Sequence, residues 1–200
     1  MSKRKREILQ AALSCFTERG VEATTIEMIR EASGASVGSL YHHFKSKEQI
    51  AAALFLEGLK DHHSRLNAAL TLDTGGEEGV KLIVRVFVYW VAENPEWARF
   101  VFSSRGLVKH TPVSQELDTE NKKNFDLWKA WFSKQVASGE IRRLPKEMYY
   151  PLIIGPVAEY ARAWLAGRSK TDIRDYCKLF ELAAWQAVGV NKAGVNKVPG

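Results

Sequence analysis

The sequence predicts an all-α chain: a small N-terminal domain of three short helices, then a larger helical domain. Three observations carry this. Apolar residues recur at helical spacing almost from end to end. Stop and start residues bracket the segments, with Gly20, Gly34 and Gly139 at ends and Thr24, Ser36 and Ser46 at starts. The chain has 200 residues and 46% of them are hydrophobic, enough for a small domain plus a larger packed one.

The first helix spans Lys3 to Arg19, with Leu9, Ala12, Leu13 and Phe16 as its core stripe and Gly20 at its end. Thr24 and Glu27 have the spacing of a capping box, so a second helix begins at Thr25, with Ile26, Ile29 and Ala32 on its apolar edge. Gly34 suits the left-handed turn that closes it. Ser36 caps a third helix, Val37 to Phe44, and Ser46 with Gln49 opens a fourth. Helix, short glycine turn, helix is the helix-turn-helix arrangement. On a helical wheel Leu40 and Phe44 face the core, with Val37 and Tyr41 on the flanks and Val37 nearer the core. Gly38, Ser39, His42 and His43 point away. No acid lies between Ser33 and Lys47, which suits close approach to a polyanion. A run this short also arises by chance in ordinary helical hairpins.

The stretch TTIEMIREASGASVGSLYHHFKSK, residues 24–47, resembles the helix-turn-helix motif of the TetR family of bacterial repressors. Thr25, Ile29, Gly34, Ser36, Gly38, Leu40, Tyr41, His43, Phe44, Ser46 and Lys47 match at the family's spacing. Arg30 and Ser33 stand where the family has small apolar residues, and Ala35 where it has Val. The resemblance implies a DNA-binding domain over residues 1–47 and a ligand-binding and dimerisation domain over 48–189, with 48–71 as the linking helix. It implies that Thr25 contacts phosphate, that Val37, Gly38 and Ser39 face base edges, and that Tyr41 and His42 touch phosphate or nearby bases. Lys47 opens the fourth helix, where free N–H groups and the helix dipole favour an anion. The candidate DNA-binding set is Thr24, Thr25, Ser36, Val37, Gly38, Ser39, Tyr41, His42, Lys45 and Lys47. No Arg or Gln lies on the reading helix, so specificity is expected to draw on DNA shape and on a basic arm at Lys3, Arg4, Lys5 and Arg6.

Lys47 to about Leu70 reads as one long helix, with Ile50, Leu54, Leu59, Leu66 and Leu70 apolar. It carries Glu57, Asp61, His62 and His63, but adjacent histidines point apart, and no metal or other cofactor is expected. Leu72 to Gly79 reads as a turn and Val80 to Val91 as a buried helix. Pro95 to Ser104 forms a short helix, Gly106 to Pro112 a loop, and Pro112 to Ser138 a long helix closed by Gly139. A helix from Pro145 to Leu165 is expected to kink at Gly155-Pro156. The last helix runs from about Thr171 to Val188, and residues 190–200 read as a disordered tail.

Two features of the second half bear on function. The final helix is apolar all round, with Phe180, Leu182, Ala183, Ala184, Trp185, Ala187 and Val188. The simplest way to bury it is a homodimer through the last two helices, an arrangement the family resemblance also implies. Aromatics are dense, and a subset could line an effector cavity. The candidates are Phe87, Trp90, Phe100, Asn121, Phe125, Trp128, Tyr160 and Trp164, the remaining aromatics being core.

Net charge is +6, but residues 1–50 hold eight Lys/Arg against six Glu, so the basicity is spread. The longest apolar run, Val86 to Ala92, is far short of the roughly 18 residues a membrane span needs. Cys15 and Cys177 lie in different expected domains, which fits a reducing cytoplasm and no structural disulfide. There is no glycine-rich phosphate loop, paired-histidine motif or nucleophile elbow, so no enzyme is expected. The expectation is a cytoplasmic, homodimeric regulator, most simply a repressor that leaves a near-palindromic double-stranded DNA operator on binding a small, largely apolar or aromatic effector. A sequence-blind DNA-packaging protein and an activator without a ligand are the alternatives.

Overall fold

The computed structural model describes residues 2–104 and 128–190, and these are helical throughout apart from turns and one isolated bridge, Ile141 with Gly189. The helices are α1 (Lys3–Ala23), α2 (Ile26–Ser33), α3 (Val37–His43), α4 (Lys47–Ala69), α5 (Gly76–Glu93) and α6 (Pro95–Ser104). They are followed by α7 (described over 128–137), α8 (Lys146–Leu165) and α9 (Cys177–Val188), the last entered through a 3-10 turn, Ile173–Tyr176. The expected Gly106–Pro112 loop, the start of the Pro112–Ser138 helix, Asn121, Phe125 and all of the tail except Val190 lie outside the described residues. The chain forms two compact units, one holding residues 1–64 with α6, the other 65–92 and the chain from α7 onward.

In the first unit, Ile8, Leu9, Ala12, Leu13 and Phe16 of α1 pack with Ile29, Leu40, Phe44, Ile50, Leu54 and Phe55. Phe100 of α6 completes this core, its ring stacked on Phe16 with centroids 5.7 Å apart. Trp97 of α6 donates its indole N–H to the Leu54 carbonyl (2.9 Å), across a surface left bare by Gly58. α1 breaks at Gly20, whose φ of 78° only glycine takes without strain, as its position in the sequence anticipates.

One N-terminal detail differs from expectation. The cap of α2 is Thr25, not Thr24: the Thr25 hydroxyl accepts from Met28 N–H (3.2 Å), and Met28 Sδ accepts from Thr25 N–H (3.4 Å). Thr24 is fully buried, with its hydroxyl donating to the Gly20 carbonyl at 2.7 Å. Residues 3–6 are the first turn of α1, capped by Ser2, as the helix expected from Lys3 requires. Arg4 pairs with Glu7 (3.0 Å), and the Lys5 ammonium lies 5.7 Å from the Phe44 ring centroid.

In the second unit α5 begins at Gly76, so the expected turn ends earlier than Gly79. Gly76 and Gly79 are buried in helix because α5 needs bare backbone there: a Cβ on Gly79 would fall inside the Trp131 ring. Val80, Ile83, Val84, Phe87, Val88, Trp90 and Val91 bury α5, as its apolar run predicts. α8 stays helical through Pro151 and Pro156. Arg142 donates to the Gln186 carbonyl (3.0 Å) and to that of Ala187, satisfying carbonyls that the end of α9 leaves open.

A buried carboxylate ties α5 to α9. Glu181 is only 2% exposed, and its carboxylate accepts from Arg85 Nε (2.7 Å) and Lys178 Nζ (3.2 Å). Burial pushes the Glu181 carboxyl up, but Arg85 and Lys178 outweigh it and hold it below its ordinary value. Burial and the adjacent Glu181 push the Cys177 thiol up to about 11, so it is inert at neutral pH. Because the folded-state value of Glu181 is depressed, its contribution is complete above the ordinary carboxylate range and is lost as pH falls through the folded value. Glu181→Gln should therefore cost about 1–2 kcal/mol at neutral pH and progressively less in acid. Urea melts of both proteins from neutral to acidic pH check this; a constant difference would contradict it.

Candidate nucleic-acid interface and effector cavity

The helix-turn-helix is built by three caps. Gly34 ends α2 in the left-handed conformation (φ 60°, ψ 22°), as expected. Ser36 then starts α3, its hydroxyl accepting from Ser39 N–H (3.2 Å). Ser46 Oγ accepts from Gln49 N–H (3.3 Å) while Gln49 Oε1 accepts from Lys45 N–H (2.9 Å), starting α4. Leu40 and Phe44 anchor α3 in the core.

Against the wheel, which placed Val37 nearer the core, Val37 is 57% exposed. It sits on the first turn of α3, where few neighbouring elements cover it. Ser36, Gly38, Tyr41, His42 and Lys45 are also exposed, and Ser39 is half-buried. Beside this face Thr24, Thr25, Ile26, Tyr41, Lys45, Ser46 and Lys47 line a cleft of about 350 Å³, where the N-termini of α2 and α4 meet. N-terminal N–H groups there favour an anion such as a phosphate.

Two members of the sequence-derived set have other work. Thr24 is buried and internally bonded, so its hydroxyl is unavailable to DNA. The Lys47 ammonium donates to the Glu22 carbonyl (2.7 Å) and the Thr24 carbonyl (2.8 Å), clamping the end of α1 to the start of α4. Those acceptors lie more than twenty residues back in the chain, and no local pattern announces them. Arg30 closes on Glu27 (2.6 Å) rather than reaching outward.

The second unit encloses a cavity of about 470 Å³ between α5, α7 and α8. Ile83, Phe132, Val136, Ile153 and Ile154 make it apolar, and Lys129, Arg143 and Lys146 lie on it as well. Phe132 stacks on Tyr149 with centroids 4.7 Å apart. The Tyr149 hydroxyl is committed to the chain, donating to the Arg142 carbonyl at 2.9 Å. Of the sequence-derived effector candidates, Trp128 lines this cavity. Phe100 belongs to the core of the first unit, a correction whose cause is that α6 packs on α1. Phe87 and Trp90 are buried in α5, and Trp164 is half-buried. Tyr160 packs on Tyr176 and Phe180, its hydroxyl donating to the Thr171 carbonyl (2.9 Å). The sequence reading missed Ile83, Lys129, Phe132, Arg143, Lys146, Tyr149, Ile153 and Ile154. Part of the signal was present: Trp128, Phe132 and Val136 recur every four residues, one stripe of α7. Among the described residues no group of three or more His, Cys, Asp and Glu could hold a metal ion, and no helix is long and apolar enough to cross a membrane.

Comparison with known proteins agrees with this architecture. The sequence model of the bacterial regulatory proteins of the tetR family matches residues 8–54. The chain is 31% identical to the HTH-type transcriptional repressor KstR2 of Mycolicibacterium smegmatis over 146 residues, covering 70% of this chain and 69% of that one. A tetR-family regulatory protein from Rhodococcus RHA1 superposes with a TM-score of 0.76 at 22% identity, over 96% of this chain and 100% of that one. The transcriptional regulator FadR from Bacillus subtilis, solved in complex with stearoyl-CoA, has a TM-score of 0.73 at 20% identity, over 90% of this chain and 96% of that one. These two structures share the fold. The match to KstR2 extends well beyond the helix-turn-helix and over two thirds of both sequences, so the chain belongs to the TetR family of bacterial regulatory proteins.

Proposed function

We propose that this protein is a cytoplasmic, homodimeric repressor that binds a near-palindromic operator through α3 and releases it when a small, largely apolar or aromatic effector enters the C-terminal domain. The observation that carries the reading is the exposed, acid-free face of α3 beside a cleft at two helix N-termini. In this reading residues 1–47 bind DNA, 48–71 link, and 48–189 bind effector and partner. Thr25, Tyr41 and Lys45 hold phosphates, while Val37, Gly38, Ser39 and His42 face the bases, with Ser36 holding the start of the helix. The repressor assignment draws on KstR2, and the effector on the cavity and on the stearoyl-CoA complex of FadR.

The dimer is supported by α9. Leu179 (60% exposed), Leu182 (47%) and Ala183 recur on one stripe that a single chain leaves in water. Pairing this stripe with its copy, alongside α8, makes a four-helix interface. Two copies of α3 then face successive major grooves, roughly 34–36 Å apart. An effector that prefers the non-binding arrangement shifts the population away from it through α4.

Genomic fragments captured by the purified protein test the reading. One or a few near-palindromic sites are expected; sequence-blind recovery would favour DNA packaging instead. On a recovered site, Lys45→Ala should weaken operator and random DNA alike and lower the salt slope by about one. Anisotropy titrations over a salt series read both quantities. A loss confined to the operator would remove Lys45 from the phosphate contacts.

A further inference from the structure

We propose that the α5–α7–α8 cavity takes an amphipathic organic anion, its acidic head at Lys129, Arg143 and Lys146 and its apolar body on the Phe132–Tyr149 stack. This rests on the effector reading above and adds the charge of the ligand to it. The volume of about 470 Å³ suits one small organic molecule. The inner wall is hydrocarbon and aromatic, from Ile83, Phe132, Val136, Ile153 and Ile154.

The charge is one-sided. Lys129, Arg143 and Lys146 come from two separate segments and lie on the cavity, while no Asp or Glu is among its described lining residues. All three are exposed, so their heads stay hydrated at the rim until a ligand arrives. At the mouth of an apolar cavity an anion pairs with them in a medium less screening than bulk water. A neutral body would gain nothing from these charges, and a cation would be repelled. A separate observation concerns the interior. The Trp128 indole N–H is buried and has no hydrogen-bond acceptor among the described residues. A body that brings an acceptor oxygen within reach of the indole would satisfy it.

A matched pair of dyes tests the charge: anilinonaphthalene sulfonate and N-phenylnaphthylamine, which share a body and differ in the sulfonate. Fluorescence titration of the full chain should show the anionic dye binding at least about tenfold more tightly, with the advantage shrinking as salt is raised. The Arg143→Gln/Lys146→Gln double variant should lose that advantage and keep its affinity for the neutral dye. Ile154→Trp, which fills the cavity, should weaken both dyes and so locate them. Displacement of the anionic dye by octanoate and by octyl phosphate then distinguishes a carboxylate head from a phosphate head. Equal affinity for the two dyes, unchanged in the double variant, would overturn the anion and leave an uncharged effector standing. Dye binding unchanged in Ile154→Trp would place the dyes elsewhere and overturn the cavity as the ligand site, and the effector reading at this site with it.

Discussion

Trp131→Ala should cost about 3–5 kcal/mol of stability, with a fall in melting temperature on the order of 10 °C. The indole is 1% exposed and donates its N–H to the Thr74 carbonyl (2.9 Å), beside Gln135 Nε2, which donates to the same oxygen at 3.1 Å. Its ring lies against the bare backbone of Gly79 and meets Phe132 edge-on, with centroids 4.8 Å apart. Truncation therefore removes a large buried side chain, leaves the Thr74 carbonyl with Gln135 alone as its side-chain donor and opens a void against α5.

Gly79→Ala probes the same contact from the other side. In a helix interior alanine is normally favoured over glycine by about 1 kcal/mol. Here the new Cβ would enter the Trp131 ring, so the sign reverses and the substitution destabilises. Thermal melts followed by circular dichroism and tryptophan fluorescence check both variants. A stabilised Gly79→Ala protein would show that the ring does not occupy that space.

This contact also marks where the sequence was legible and where it was not. The helices and their caps follow from local chemistry: Gly20, Gly34, Ser36 and Ser46 act within four residues of themselves, so their roles can be read without a fold. The one-residue shift of the α2 cap arose because Thr24 bonds to Gly20 and Cys15 carbonyls, an interaction with the preceding helix. Leu72 to Gly79 looked like a turn because it holds the pair Gly75-Gly76; the bare backbone of Gly76 and Gly79 instead packs in helix against Glu140 and Trp131, more than fifty residues away. The cavity shows the same limit. Composition picked out Trp128, and helical spacing puts Phe132 on the same stripe of α7, but the cations at Arg143 and Lys146 join them only through the packing of α8. Composition drew Phe100 toward the cavity because it marks aromatics without saying which unit buries them.

Gly38→Leu separates folding from DNA binding and should change the second far more than the first. Gly38 lies in the first turn of α3, on its exposed face, and a Cβ there would meet nothing within 4 Å. Its backbone is helical, so a side chain carries no strain and removes the excess unfolded-state freedom of glycine; stability should hold or rise by up to about 1 kcal/mol. In the proposed complex the same bare patch lets the helix backbone come close to the base edges. A leucine there stands the helix off the groove and breaks neighbouring contacts, so operator affinity should fall at least about a hundredfold, or about 3 kcal/mol. Affinity for random DNA, which the proposal assigns to Thr25, Tyr41 and Lys45 at the phosphates, should fall much less. Gly38→Ala should show the same pattern on a smaller scale. Paired anisotropy titrations on operator and random duplexes at one salt concentration, with melts of the same samples, read all of these. If Gly38→Leu bound the operator normally, α3 would have to approach DNA by another face, and the assignment of Val37 and Ser39 to the bases would fall with it.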